Sequence, residues 1–486
     1  MRRTPAQAKA ELERRYNARL AAKRKRNDRL FKSGGFIALF LAMTLLAVGL
    51  AIQPPEEHTS DPILSESSIS NVLDQPSADT SSESSLETPS EEPGETSRPI
   101  RMTNSKNLME GITPMSVTKK RPDNAFITAQ MDFAVKLLQQ SLKKDGGKGA
   151  LVSPLSAQLC LAMVANGADG ETLAEMEKVL GGDLSLEQLN AYLSAYAESL
   201  PSTEKTKLII NNAIWFKEGY PFYTDFLQTN ADYYGAALYQ APFDGTTLQE
   251  INDWVNTNTD GMIPKLFDEL DESAVMALVN TLLFEGDWQT PYASNEIRDR
   301  TFRSYSGIEK TVKMMCADES VYICDQNAKG FLKYYDGKDY AFAAILPAED
   351  EDILEYVNSL TGTALQTLLT SQTATTVHVM LPKFEFQYDL NLKSILSDMG
   401  MPSAFLPTAA DFSKLSPQAL YIGQATQKTV IQVTETGTKA AAATGVTMED
   451  FGIGVGKEVF LNRPFVYMIL DTKTNLPLFI GVMTEM

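Results

Sequence analysis

The sequence predicts an α+β fold built around large mixed or antiparallel sheets. Helix-like segments cluster early in the folded part of the chain, and strand-like runs dominate later. The two kinds of segment do not alternate regularly, and no repeat of fixed period is present. With 486 residues, the chain is longer than one ordinary domain and can bury a large core.

Two helices are predicted where the folded domain begins, near residue 123. The stretch AFITAQMDFAVKLLQQSL carries apolar residues such as Phe126 and Phe133 at helical spacing. The stretch SPLSAQLCLAMVANGA predicts a buried helix that begins at Ser153, a favoured capping residue. Pro154 then lies in the first turn, where proline is tolerated.

Strands are predicted by later stretches that are rich in β-branched and aromatic residues. These stretches are LIINNAIWF, AVMALVNTLLF, YAFAAILP, TVHVMLPKFEF, TVIQVTE, FVYMIL and PLFIGVM. The last two flank DTKTNLP, so we expect them to form a hairpin.

A membrane anchor is predicted at residues 36–52, FIALFLAMTLLAVGLAI, which contain no charge and no proline. As a helix this segment would span about 25 Å, just enough for a bilayer. Residues 1–35 hold 12 Lys and Arg against 3 Asp and Glu, which predicts a cytoplasmic tail and an extracellular domain. The pattern also fits a cleaved signal peptide, in which case the protein would be secreted.

Residues 53–122 are predicted to form a disordered stalk rich in Ser, Thr, Glu and Pro. Residues 53–100 alone hold 11 acidic residues against 1 basic residue. Few large apolar side chains interrupt this stretch, so it cannot bury enough surface to offset the entropy of ordering. We expect it to act as a tether between the membrane and the domain at 123–486.

Composition excludes several classes of function. The formal charge of −19 makes nucleic acid an improbable partner. The chain has only two histidines, His58 and His378, so we expect no metal site. We expect no other cofactor either. The three cysteines form no CxxC pair, although an oxidising exterior leaves a bridge between Cys316 and Cys324 open. The basic N-terminus and the lack of a disulfide framework are typical of a bacterial protein.

The domain resembles the serpin family of serine protease inhibitors in stretches spread over its whole length. In order, they include LVSPLSAQLCLAMVANGADGET, INDWVNTNTDGMIPKLF, LVNTLLFEGDW, LPKFEFQYDLNLKSILSDMGM, VTETGTKAAAATG and NRPFVYMILDTKTNLPLFIGVM. The resemblance implies three β-sheets with about nine helices. It also implies an exposed reactive-centre loop at about 435–461.

The reactive loop would contain a hinge that inserts into a sheet. Alanine-rich sequence alone predicts a helix, but the strand-like run TVIQVTE leads directly into it. The resemblance assigns the hinge to Glu435, Gly437, Thr438, Ala440, Ala441, Ala442, Ala443 and Thr444. In a strand, alternate residues face inward. The inward set would be Thr438, Ala440, Ala442, Thr444, Val446 and Met448, all small or apolar.

The scissile bond is implied by a count along the loop. Inhibitory serpins place it fourteen residues after the hinge glycine, which gives Phe451 and cleavage before Gly452. A count back from NRPF gives Ile453 instead, so the bond is expected within 450–453. An aromatic residue there suits chymotrypsin-like or subtilisin-like proteases.

Two supporting groups are also implied by the resemblance. One, the breach, lies at the top of the main sheet where insertion begins, and it comprises Lys383, Glu435 and Trp288. The other, the shutter, is a polar network beneath the sheet that comprises Ser153, Ser156, Asn280 and Gln427. Gln427 would replace the usual histidine, and an amide can both donate and accept hydrogen bonds.

The function implied by the resemblance is inhibition of a serine-type endopeptidase, not enzymatic turnover. The protease would attack the loop, form a covalent acyl-enzyme and be trapped as the loop inserts, so the inhibitor is a suicide substrate. We expect a monomer whose partner is the target serine protease. A non-inhibitory serpin that serves as a surface binding module is the alternative. A surface hydrolase is disfavoured because no nucleophile elbow is present.

Overall fold

The computed structural model describes residues 102–271, 273–438 and 456–486. The predicted tail, the predicted anchor at 36–52, most of the predicted stalk and residues 439–455 of the loop lie outside this part of the chain. Within it, no helix is long and apolar enough to cross a membrane.

Nine α-helices lie in the described part of the chain. They are α1 (Asn124–Lys144), α2 (Pro154–Ala165), α3 (Gly170–Gly181), α4 (Leu186–Ser199), α5 (Thr224–Tyr234), α6 (Gly245–Asn258), α7 (Ile353–Ser359), α8 (Gly362–Thr370) and α9 (Leu392–Met399). The number agrees with the resemblance.

The two predicted helices are confirmed as α1 and α2. Helix α1 begins after Asp123, whose carboxylate accepts a hydrogen bond from the amide of Phe126 at 3.1 Å. Helix α2 begins after Ser153 with Pro154 at its first position. Every residue of α2 is buried, so this helix lies at the centre of the core rather than at its surface.

Sixteen strands lie in the same part of the chain. They are β1 (Lys106–Asn107), β2 (Ala150–Val152), β3 (Thr206–Lys217), β4 (Ala237–Ala241), β5 (Met276–Asp287), β6 (Ile297–Arg303), β7 (Glu309–Cys324), β8 (Ala328–Tyr334), β9 (Tyr340–Pro347), β10 (Thr373–Pro382), β11 (Phe384–Asn391), β12 (Gln424–Val433), β13 (Gly437–Thr438), β14 (Lys457–Phe460), β15 (Phe465–Asp471) and β16 (Pro477–Met483).

Hydrogen bonding joins the described strands into two sheets rather than three. One sheet has the order β1-β4-β3-β5-β13-β12-β11. The other has the order β14-β10-β7-β8-β9-β15-β16-β2, with β6 paired to β7. The long strand β7 accounts for the difference, because it pairs with β6 near its start, with β10 along its middle and with β8 at its end. Two sets of strands are thereby linked into one ladder.

The predicted strand run TVHVMLPKFEF is two strands that belong to different sheets. Strand β10 ends at Pro382 in the nine-stranded sheet, and β11 begins at Phe384 in the seven-stranded sheet. The chain passes from one sheet to the other at Lys383, the single residue between β10 and β11. The predicted hairpin is confirmed by antiparallel pairing of β15 with β16.

The folded part of the chain begins before residue 123, so the predicted stalk ends too late. Strand β1 pairs with β4 at the edge of the seven-stranded sheet. The carboxylate of Glu250 accepts hydrogen bonds from the amides of Thr103 and Asn104, at 2.7 and 2.8 Å, and from the hydroxyl of Ser105 at 2.5 Å. Polar composition predicted a stalk here, but one buried carboxylate satisfies the backbone and holds the segment in place.

The carboxylate of Glu250 should therefore stabilise the fold. We expect Glu250→Gln to lower the free energy of unfolding by about 1–3 kcal/mol, because an amide cannot accept all of these hydrogen bonds. Urea unfolding measures the change. Asp253→Asn is the matched control, because Asp253 is an exposed acid on the same helix. Equal losses in the two variants would contradict the assignment.

The same contact predicts a pH dependence. Burial opposes ionisation of Glu250, but the hydrogen bonds from Ser105, Asn104 and Thr103 outweigh it and lower the pKa of the folded state from 4.5. A lowered pKa contributes stability above the ordinary value, and this contribution is lost as the pH falls. Between about pH 5 and pH 3, the wild type should therefore lose more stability than Glu250→Gln.

Candidate functional site

Strands β5 and β12 are neighbours at one end of the seven-stranded sheet and separated at the other. They pair in parallel from Gln424 with Ala277 to Gln427 with Asn280. At the other end β13 lies between them. Their spacing must therefore widen from about 4.8 Å, one interstrand distance, to about twice that value.

This divergence creates a cleft between residues 281–285 of β5 and 428–432 of β12. The described residues place no strand between these two segments. We refer to this region as the cleft. The predicted hinge leads to it, because β13 contains Gly437 and Thr438.

Strand β13 lies between β5 and β12 just beyond the cleft, in a tightly defined register. Thr438 lies opposite Gly286 of β5 and Val433 of β12, antiparallel to both. A Cβ atom on Gly437 would lie 2.1 Å from the carbonyl oxygen of Gly286, so the backbone approach requires glycine at position 437. Thr438 is buried, and its hydroxyl lies 2.6 Å from the hydroxyl of Tyr335.

The turn between β12 and β13, residues 434–436, is held by the segment that follows β5. The amide of Trp288 donates to the carbonyl of Thr436, and its indole Nε1 donates to the carbonyl of Thr434, both at 2.8 Å. The amide of Tyr292 donates to the carbonyl of Glu435 at 2.8 Å. The indole ring also stacks on Tyr335, with the ring centroids 4.5 Å apart.

The three predicted breach residues lie together at this turn. The Nζ atom of Lys383 is 2.5 Å from Oε2 of Glu435, and each side chain is about one third exposed. The hydrogen bond from Lys383 lowers the pKa of Glu435. At this exposure the pair contributes about 0–1 kcal/mol to the stability of the fold.

The four predicted shutter residues also lie together, all of them buried. The hydroxyl of Ser156 donates to Oδ1 of Asn280 at 2.7 Å, and Nε2 of Gln427 donates to the same oxygen at 3.1 Å. The amide of Ser153 donates to Oε1 of Gln427 at 2.9 Å, and Nε2 of Gln427 returns a bond to the carbonyl of Ser153. This network joins α2, β5 and β12.

The shutter network lies where the pairing of β5 with β12 ends, since Gln427 and Asn280 are the last paired residues before the cleft. Two details differ from the prediction. Ser153 takes part through its backbone, and no partner for its hydroxyl is found in the described part of the chain. Asn212 of β3 also belongs to the network, because Asn280 donates to its side-chain oxygen.

The reactive bond, Phe451 and Gly452, and the hinge residues from Ala440 to Thr444 lie outside the described residues. The described chain resumes at Gly456, next to β14, which pairs in parallel with β10 of the other sheet. The undescribed segment thus begins at the cleft and ends at the edge of the nine-stranded sheet.

The remaining candidate residues have structural positions. Cys316 and Cys324 are free thiols, the first buried and the second exposed, so the bridge that the sequence left open is not formed here. Burial raises the pKa of the Cys160 thiol to about 12. His378 lies in β10 with Nδ1 2.6 Å from Oδ1 of Asp318.

One charged pair near the breach was not predicted. Lys333 of β8 donates to Oε1 of Glu319 on β7 at 2.7 Å, and their side chains are only 4% and 12% exposed. The sequence held a signal for it, because Lys333 interrupts the apolar stretch GFLKYY. A lone lysine in such a stretch is buried only when it is paired.

The shutter should stabilise the closed arrangement of β5 and β12. We expect Asn280→Ala to lower the free energy of unfolding by about 1–3 kcal/mol, because it strands buried polar groups of Ser156 and Gln427. Asn211→Ala is the control, since the side chain of Asn211 on β3 donates to the carbonyl of Asn258 outside this network. Its loss should be about 1 kcal/mol or less in urea unfolding. Equal losses would contradict the role of the network.

Comparison with known proteins agrees with this architecture. The family described as Serpin (serine protease inhibitor) matches residues 128–486. The chain is 30% identical to Serpin B10 of Otolemur garnettii over 387 residues, which are 72% of this chain and 96% of that protein. It is also 30% identical to leukocyte elastase inhibitor A of Mus musculus over 367 residues, which are 72% and 96% of the two chains.

A solved structure shows the same arrangement. The native state of tengpin, a thermophilic serpin, superposes with a TM-score of 0.76 at 44% identity. The superposition covers 79% of this chain and all of tengpin. From the sequence match and the shared fold together, the chain belongs to the serpin family.

Proposed function

We propose that this serpin inhibits a serine-type endopeptidase as a suicide substrate, by covalent trapping and loop insertion. One observation carries the proposal. Strand β13 already lies between β5 and β12 directly next to the cleft, in antiparallel register with both of its neighbours. The chain beyond Thr438 can therefore continue as a strand without a change of direction.

The register defines where each further residue would lie. Each residue along the loop moves one position back along both strands, so Ala440 comes opposite Phe284 and Ile431. Burial alternates along β12, where Thr429 and Ile431 are buried and their neighbours are half-buried. The inward positions are therefore those at which the loop carries Thr438, Ala440, Ala442 and Thr444.

The small size of these side chains favours insertion. A cleft lined by Leu282, Phe284 and Ile431 is already densely packed, so large or charged residues would be strained or left unpaired. The new strand would gain ladder hydrogen bonds on both sides, each worth about 0.5–1.5 kcal/mol. Proline is absent from the chain between residues 435 and 451, so no ladder donor is lost.

The protease supplies the catalytic serine, and this chain supplies the bait. We place the scissile bond between Phe451 and Gly452, within the range 450–453, for a chymotrypsin-like or subtilisin-like target. Attack on the carbonyl of Phe451 forms an acyl-enzyme and releases the new amino terminus at Gly452. Insertion of the hinge then removes the protease from the geometry that deacylation requires. The chain therefore does not turn over.

We further propose that residues 36–52 anchor the chain in the cell membrane. Residues 1–35 would be cytoplasmic and the inhibitory domain extracellular. Cleavage after the hydrophobic segment would release the same domain as a secreted inhibitor. The mass of the protein extracted from membranes separates these two outcomes, because only cleavage removes the basic tail.

Incubation with chymotrypsin and with subtilisin tests the inhibitory mechanism. We expect a complex that survives denaturing electrophoresis and a released fragment that begins at Gly452. Cleavage of the loop without such a complex would favour the alternative, a non-inhibitory serpin that serves as a surface binding module. Mass spectrometry of the fragment locates the bond, and cleavage outside 450–453 would contradict its placement.

The inward and outward positions of the hinge provide a matched pair of variants. Thr438→Arg should reduce the yield of complex at least about tenfold, because it places an unpaired charge beside the buried Tyr335. The loop of this variant should still be cut. Lys439→Arg keeps the charge at the neighbouring, outward position and should leave the yield unchanged. Similar yields from the two variants would contradict insertion in this register.

A further inference from the structure

Lys333 is a buried lysine with an unusually complete set of partners. Its ammonium group donates to Oε1 of Glu319 at 2.7 Å and to the carbonyl of Thr290 at 3.0 Å. It also lies 4.1 Å from the ring centroid of Tyr292 and 5.5 Å from that of Trp288. All three contacts other than Glu319 belong to residues 288–292, the segment that follows β5.

Stability alone does not explain a buried pair of this kind. Removing two charges from water costs several kcal/mol per ion, and such pairs are often no more stabilising than apolar residues of similar volume. Burial raises the pKa of Glu319 although Lys333 opposes the shift, which indicates that the carboxylate is held there at a cost. The geometry points to another role.

The contacts of Lys333 lead directly to the turn at 434–436. The segment 288–292 donates three hydrogen bonds to this turn, two from Trp288 and one from the amide of Tyr292. The conformation of this turn sets the register in which Thr438 pairs with β5 and β12. Lys333 clamps the segment from the opposite side, on strands β7 and β8 of the other sheet.

We propose that Lys333 is a positioning residue for loop insertion. By fixing residues 288–292 against β7, its ammonium group holds the 434–436 turn in the conformation from which the hinge continues into the cleft. Because this turn is already formed, the cut loop starts insertion from a prepared geometry, and the acyl-enzyme has less time to hydrolyse. This inference rests on the proposed function and assigns one residue that sets the rate of loop insertion.

The test is Lys333→Met, which keeps much of the side-chain volume and removes the donor. A protease first cuts the loop. The rate at which the cut protein then becomes resistant to heat measures the rate of insertion. We expect this rate to fall about tenfold, which corresponds to a barrier higher by about 1.4 kcal/mol. With a target protease, more inhibitor molecules should be consumed for each protease trapped. The rate at which the loop is first cut should not change.

Two further variants separate positioning from a general loss of stability. Leu365→Ala creates a cavity at a fully buried site in α8, a helix that contributes no residue to the breach, and should leave the insertion rate unchanged. Lys333→Met combined with Glu319→Leu removes the unpaired carboxylate and should recover stability. It does not restore the donor to Thr290, so we expect insertion to stay slow in this double variant.

The outcomes are distinguishable from a failure of the proposed function. If the wild type neither traps a protease nor gains heat resistance after nicking, the proposed function fails. If the wild type does both, two results overturn the role of Lys333. One is a rate for Lys333→Met equal to or above that of Leu365→Ala, and the other is a wild-type rate in the double variant.

Discussion

The feature on which the rest depends is that β5 and β12 pair at one end and diverge at the other. Asn280 and Gln427 close the paired end through the shutter, while β13 separates the strands at the breach. A sheet that is paired along its whole length offers no open position for another strand, and we expect the sheet to open more readily without the shutter. The other features described here, from the glycine at 437 to the clamp at Lys333, act on one end of this cleft.

The breach joins the two sheets through three kinds of contact. Trp288 donates hydrogen bonds to backbone carbonyls of the 434–436 turn. Lys383, where the chain crosses between the sheets, pairs with Glu435. Lys333 holds the segment 288–292 through the carbonyl of Thr290. None of these contacts alone is expected to dominate the stability of the domain. Their common effect is to hold the residues before Thr438 in one conformation, which is what the proposed insertion within the lifetime of an acyl-enzyme would require.

Elements with a strong local pattern were predictable, and those that depend on tertiary partners were not. Strand-like runs rich in β-branched residues became β3, β5, β9, β12, β15 and β16, and α2 began after Ser153, its predicted cap. Strand β7 was missed because its exposed positions carry charged residues, as in EKTVKMMCADESVYIC. The segment before residue 123 was assigned to the stalk because its composition is polar, although Glu250 anchors it. Composition shows how much apolar surface a segment can bury. It does not show which carboxylate will accept hydrogen bonds from the backbone amides of that segment.

Only those residues of the candidate site that the resemblance to serpins assigned could be predicted. The residues of the breach and of the shutter lie together, yet Asn212 and Lys333 join them from strands far away in sequence. The apolar stretch around Lys333 indicated a buried pair, but no local pattern identified the partner of either residue. The central claim is that the cleft accepts the loop as a strand, and hydrogen exchange tests it most directly. After the loop is nicked, those amides of residues 281–285 and 428–432 that point into the cleft should become markedly more protected, since they gain a ladder partner. Unchanged exchange in both segments would contradict insertion.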